Sequence, residues 1–257
     1  MAGAGGGSRM GWLASLRHRR AVRALERQLA NQEAKARRIQ GHDDEIMRRL
    51  EARSAAAREK LERVGAIAAD ARVLEVGSGA HGLVFFFGTS RGVGIDPLAA
   101  HYRSLFPAWQ GRVPTFAAAG EALPFADGAF DVVLCDNVID HAEVPERVVE
   151  ELARVLAPGG LLYFTVNVHH PFYGAVSRLH GAWTALGVPV EIRPFADHTV
   201  HLTAAEARRM FDPLPLRIAA QSVRRGGAGR ARHAGDLFKR AFFKNAVFEL
   251  VAVREPG

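Results

Sequence analysis

The 257-residue chain carries one cysteine, Cys135. A lone thiol excludes an intrachain disulfide framework and agrees with a reducing, cytoplasmic setting. Also missing is any apolar run near the roughly 18 residues that a membrane-spanning helix needs. Proline is absent from residues 17–65, which removes the strongest helix breaker from that stretch. No heptad pattern is sustained there over several turns, which argues against a long coiled coil. The apolar run Trp12 to Leu16 is too short, and too soon followed by Arg17, His18, Arg19 and Arg20, to be a secretory signal.

What is present supports a folded core, because 48% of the residues are hydrophobic. The formal charge is +7, which permits an anionic partner without requiring one. Residues 1–16, opening on a Gly/Ala-rich run, read as disordered. Residues 17–65 read as a helical extension of one or two helices. In its second part Ile46, Leu50, Ala57, Leu61 and Val64 recur at helical spacing, with Asp43 and Asp44 suited to the start and Gly65 to the end. The simplest expectation is a solvated helix packing one face on the domain; a lid or a dimer contact is the sharper alternative. Residues 66–257 form the domain proper.

That domain is organised around Val73-Leu74-Glu75-Val76-Gly77-Ser78-Gly79-Ala80-His81-Gly82. Four residues read as a buried strand, and the glycines then allow a sharp turn and a close ligand approach. A helix over Leu83 to Phe87 is expected next, with its free N–H groups facing the turn. The spacing Gly77-x-Gly79-x-x-Gly82, with Asp96 19 residues after Gly77, also satisfies a dinucleotide fingerprint. Glu75 changes that reading, since a carboxylate there repels a diphosphate and attracts a cationic ligand.

Alternating strands and helices continue from Arg72. Gly92 to Asp96 reads as strand two, Leu98 to Phe106 as a helix, Val113 to Ala117 as strand three and Asp131 to Asp136 as strand four. Pro145 opens a helix whose buried face is Val148, Val149, Leu152, Val155 and Leu156. Ala157 to Gly160 stops it, and Leu161 to Val168 is strand five. Thr203-x-x-Glu206 is a capping box. Leu214 to Ala220 reads as strand six, Asp236 to Lys244 as a helix and Ala246 to Val253 as the last strand.

The string E-V-G-S-G, the L-P-F and D-G-x-F-D turns over Leu123 to Asp131, and the run L-A-R-V-L-A-P-G-G resemble class I S-adenosylmethionine-dependent methyltransferases of the small-molecule type. Together they span Arg72 to Val168. The resemblance implies an α/β fold: a Rossmann-like, seven-stranded, mostly parallel sheet with helices on both faces, plus the N-terminal helical extension. It implies S-adenosylmethionine as cofactor, held by Glu75, Gly77, Ser78, Gly79, Asp96, Pro97, Glu121, Ala122, Cys135 and Asp136. Asp96 would take the ribose, and Cys135 and Asp136 the methionine side. Relatives often carry an Asp for the adenine amino group where this chain has Ala119, so backbone near Glu121 and Ala122 is expected to serve. The Asn/Asp-Pro-Pro-aromatic string of base N-methylating enzymes is absent after strand four, which disfavours nucleic acid as acceptor.

The expected acceptor is therefore a small molecule or a glycan- or lipid-linked hydroxyl. Five histidines (141, 169, 170, 198 and 201) fall in loops near the open end of the sheet. Each is either a hydrogen-bonded loop residue or a base able to take the hydroxyl proton; His169 and His170 are the first candidates, with His141 third. No metal is assigned, although His with Asp136, Asp140 or Asp197 offers a further alternative. The basic segment Arg224, Arg225, Arg230, Arg232, Lys239, Arg240 and Lys244 is a solvated loop or a seat for an anionic substrate group. The competing readings are an RNA-directed methyltransferase or basic RNA-binding module, and, further back, a nicotinamide-dependent oxidoreductase.

Overall fold

The computed structural model describes residues 25–169, 202–225 and 246–256. Residues 25–38 are helical (α1). There follow α2 (Asp43–Glu62), β1 (Arg72–Val76), β2 (Arg91–Ile95), α3 (Ala99–Leu105), α4 (Pro107–Gln110), β3 (Thr115–Phe116), β4 (Phe130–Asp136), α5 (Pro145–Val155), β5 (Leu156–Val168), α6 (Ala204–Arg209), β6 (Leu216–Arg225) and β7 (Ala246–Arg254). The strands form one seven-stranded sheet in the order β3-β2-β1-β4-β5-β7-β6. β1 to β5 run parallel, and β7 is antiparallel to both of its neighbours.

Side-chain alternation along the strands divides the interior into two layers. Leu74 and Val76 of β1, with Val133 and Cys135 of β4, face α5 and α6. Val73, with Val132 and Leu134, faces the opposite layer, which α2, α3 and α4 cover. α2 buries Leu50, Ser54, Ala57 and Leu61 in that layer, and each leucine contributes roughly 1.5–3 kcal/mol by leaving water. Ser54 donates from Oγ to the Leu83 carbonyl at 2.7 Å, tying α2 to the segment after β1.

The capping box at Thr203 forms as its spacing predicts, with Glu206 N donating to Thr203 Oγ1 at 3.2 Å and Thr203 N to Glu206 Oε2 at 2.8 Å. Three expectations need correction. The helix over Leu83 to Phe87 is only a 3-10 turn, Val84–Phe86. Three consecutive bulky phenylalanines, two of them buried, dock this segment into the core rather than letting it wind. α5 passes directly into β5 at Leu156, with no intervening stop. β6 begins later than expected and runs on to Arg225. The expectations for residues 1–16, for a helix over 236–244, and for His170, His198 and His201 lie outside the described residues.

Candidate functional site

The strand order changes direction between β1 and β4, and the carboxyl ends of parallel strands at such a switch point frame a crevice. Here it is a cavity of about 440 Å³, within the usual range of roughly 300–1,000 Å³ for ligand pockets. Its walls are the turn Gly77–Gly82, the β2 end at Asp96–Pro97, the segment 118–121 after β3, and residues 136–143 after β4. Leu25, Gln28 and Gln32 of α1 and Arg53 of α2 close another side. The N-terminal helices thus contribute walls to the cavity, beyond packing on the domain.

Gly77 has φ 70°, and a Cβ there would stand 2.4 Å from Val138 Cγ2. A Cβ on Gly82 would stand 2.5 Å from Glu75 Oε2 and 2.7 Å from the Ser78 carbonyl. The turn therefore closes on its neighbours only because these side chains are missing. Asn137, at φ 60°, is the non-glycine residue with positive φ among the described residues. Its N–H donates to the Thr165 carbonyl at 3.0 Å, and its Oδ1 accepts from Asn167 N at 3.0 Å. This kink ends β4 and turns Val138 onto Gly77.

Glu75 is 1% exposed. Its Oε1 accepts from Leu83 N at 3.0 Å and its Oε2 from Val84 N at 2.8 Å. The carboxyl thereby replaces the expected helix start: it gathers the two N–H groups that open the 3-10 turn. Burial pushes its pKa up to about 8, against those two donors, while nearby Asp136 adds to the rise. Asp96 is fixed similarly, with Oδ1 accepting from Leu98 N at 2.8 Å and Oδ2 from Gly79 N at 3.1 Å. Its pKa too is raised by burial.

Asp136 accepts from Thr165 Oγ1 at 2.5 Å and forms an ion pair with Arg53. Glu121 Oε1 accepts from Glu143 N at 2.8 Å, joining two rims of the cavity. His81 also lines it, tilted against Phe106 and Trp109 at ring-centroid distances of 5.0 and 5.5 Å. Burial first, then Lys35 and Arg53, lowers its pKa to about 4, so the ring is neutral.

Of the residues expected to hold a cofactor, Glu75, Gly77, Ser78, Gly79, Asp96, Pro97, Glu121 and Asp136 line the cavity; Ala122 and Cys135 do not. Adjacent residues of a strand face opposite sides, so Cys135 and Asp136 cannot both point into one site. The Cys135 sulfur is fully buried on the α5 side. Of the candidate bases, His141 lines the cavity, its Nε2 3.9 Å from Asp140 Oδ1. His169 is 3% exposed at the end of β5, outside the lining residues, and its backbone N–H donates to the Leu202 carbonyl at 2.8 Å. Arg224 of the basic segment pairs with Glu249 at 2.8 Å. Among the described residues no group of three or more His, Cys, Asp or Glu is placed to hold a metal, and no helix is long and apolar enough to cross a membrane.

Sequence reasoning did not find Gln28, Gln32, His81 or Arg53. The signal for Arg53 was its phase on α2, one residue before buried Ser54, but a period alone names no partner. The arrangement can seat a ligand that carries positive charge beside a ribose-like diol. Three carboxyls, Glu75, Asp96 and Asp136, approach the glycine turn, an arrangement that disfavours a diphosphate.

The chain is similar to known methyltransferases. The sequence model of a family described as a methyltransferase domain matches residues 74–164. An uncharacterized methyltransferase of Mycolicibacterium gilvum is 39% identical over 100 residues, which are 37% of this chain and 39% of that protein. The chain thus spans well under two thirds of the curated relatives it matches. Among solved structures, a putative methyltransferase of Haloferax volcanii, in complex with the Trm112 methyltransferase activator, superposes with a TM-score of 0.57 at 19% identity, over 88% of this chain and 98% of that one. A geranyl diphosphate C-methyltransferase of Streptomyces coelicolor, bound to Mg2+, geranyl diphosphate and S-adenosyl-L-homocysteine, gives 0.55 at 15% identity, over 82% and 83%.

Proposed function

We propose, from the match of residues 74–164 to a methyltransferase domain, that the protein is a class I enzyme that transfers a methyl group from S-adenosylmethionine to a small-molecule or glycan-type acceptor, at a hydroxyl oxygen. The observation that carries this reading is the set of three carboxyls, Glu75, Asp96 and Asp136, around the turn Gly77–Gly82 in one cavity.

The residues fit the cofactor's chemistry. Asp96 faces a ribose diol. Asp136 supplies negative charge for the sulfonium and ammonium, and Glu75, which burial holds protonated, ionises to meet the cation. Arg53, the one Lys or Arg among the described lining residues, supplies positive charge for the amino-acid carboxylate. Segment 118–121 offers backbone groups to the adenine. The bound cofactor supplies an activated methyl carbon; what remains for the protein is alignment, exclusion of water and proton management.

His141, on the cavity wall, takes the role of proton acceptor from the hydroxyl. Its place beside the β4 end supports this over His169, which is buried away from the lining residues. The lone buried thiol supports a reducing, cytoplasmic setting. Calorimetric titration with S-adenosylmethionine, S-adenosylhomocysteine and NAD tests the reading. Binding of the first two without the third is expected, whereas uptake of NAD alone would overturn it.

A further inference from the structure

Behind the glycine turn, outside the residues that line the cavity, stand Trp109 and Gln110 of α4. Each is 1% exposed. Trp109 Nε1 donates to the Ala80 carbonyl at 2.7 Å. Gln110 Nε2 donates to the Gly79 carbonyl at 2.9 Å and to the Ala80 carbonyl at 3.2 Å. Two carbonyls facing one amide require its NH2 end, so the amide orientation is fixed by chemistry. The price is Gln110 Oε1, a buried acceptor with no partner among the described residues. An apolar side chain of the same shape would remove that orphan acceptor but strand the Gly79 carbonyl, whose donor is Gln110. What the glutamine supplies is thus a donor for the glycine turn, at the cost of one buried acceptor.

We propose that Trp109 and Gln110 are positioning residues for the cofactor: they hold the Gly79–Ala80–His81 peptides in the one orientation that receives the amino-acid part of S-adenosylmethionine. The mechanism follows from peptide planarity. In a trans peptide the C=O and the following N–H point in opposite directions. Drawing the Gly79 and Ala80 carbonyls back onto α4 turns the N–H groups of Ala80 and His81 away from α4. Neither N–H meets an acceptor among the described residues. Gly79 is held at both ends, its carbonyl by Gln110 and its N–H by Asp96 Oδ2 at 3.1 Å. Glycine at φ 51° would otherwise leave this plane free to rotate. His81, wedged against Phe106 and Trp109, fixes the far end of the turn.

The proposal rests on the methyltransferase reading, and the test separates the two. S-adenosylhomocysteine is titrated calorimetrically into the full chain and into Gln110→Met, Trp109→Phe and Gln110→Glu, with each thermal midpoint measured without ligand. Gln110→Met keeps the shape and loses the donor, and Trp109→Phe loses the donor and one ring; roughly tenfold weaker binding is expected, together with loss of the protection that the bound ligand gives the Ala80 and His81 N–H groups against hydrogen exchange. In Gln110→Glu, burial between two carbonyls favours the protonated carboxyl, which still donates. That variant should bind like the wild type at pH 6 and weaken as pH rises. A merely structural role would lower the midpoint and leave the affinity within twofold, and that result overturns the proposal. Should Gln110→Met fail to fold, the affinity and midpoint of Trp109→Phe decide in its place. Failure of the wild type to bind S-adenosylhomocysteine would overturn both readings; wild-type binding with unaltered variants would overturn only this one.

Discussion

Arg53 on α2 and Asp136 at the end of β4, 83 positions apart in the sequence, form an ion pair in the wall of the cavity. The Arg53 side chain is 50% exposed and that of Asp136 19%, so the pair contributes about 0–1 kcal/mol to folding after solvent screening. Its weight falls instead on the ligand. Arg53→Ala is expected to leave the thermal midpoint nearly unchanged and to weaken S-adenosylhomocysteine about tenfold, or about 1.4 kcal/mol. Adenosine, which lacks the amino-acid part, should bind the variant as it binds the wild type. Calorimetry with the two ligands checks this.

Glu75 predicts a pH dependence. Its pKa is raised from 4.5 to about 8 by burial. In that interval the folded chain keeps a proton that the unfolded chain has released. The contribution to stability is therefore full below pH 4.5 and lost as pH climbs through about 8. Denaturant midpoints measured from pH 5 to 8.5 should fall, and Glu75→Gln should flatten the profile. A cationic ligand favours the ionised carboxylate, so binding of S-adenosylmethionine near pH 7 should release protons. Titrations in buffers of different ionisation enthalpy would detect that release, and it should be smaller for S-adenosylhomocysteine.

Gly77 and Val138 predict a coupled pair. Gly77→Ala introduces left-handed strain of about 1–2 kcal/mol and an overpacking cost of about 1–3 kcal/mol against Val138. Val138→Ala in the same chain should recover the second part and none of the first. Chemical denaturation of the two single variants and the double variant gives the coupling directly. Additive losses would disprove the contact.

A chain that starts at residue 42 retains α2 and loses the α1 wall. Tyr102 OH then loses its bond from Gln28 Nε2, 3.1 Å long, and the cavity loses Leu25, Gln28 and Gln32. The shortened protein should fold with far-ultraviolet circular dichroism typical of the sheet, and bind S-adenosylhomocysteine at least several-fold more weakly. Equal affinity would show that α1 is not part of the seat.

Local rules reached much of this architecture. The runs at β1, β2 and β4 are bounded by glycine and aspartate, and the strands lie where those residues put them, so Glu75, Asp96 and Asp136 come together from spacing alone. Cys135 faces away from the cavity because the two-residue period of β4 sets it opposite Asp136, a constraint that motif membership does not carry. The segment after Gly82 did not wind into a helix because Phe85 and Phe87 are drawn into the core, a long-range demand that no local propensity reports. Arg53 and Gln28 escaped for a related reason. Their helices carry charge all along their length, and only the folded sheet shows which charged or amide residues look inward. The bond between Gln110 and the glycine turn spans 31 positions and has no local signature.

The seam between β1 and the N-terminal helices divides the cavity into a part inside the matched stretch and a part outside it. The floor, from Glu75 to Val148, lies wholly within the matched stretch 74–164, while Leu25, Gln28, Gln32 and Arg53 come from outside it. The outer panel can therefore vary without touching the residues that shape the base of the cavity. Divergence among related chains should accumulate in the first sixty residues long before it reaches the glycine turn.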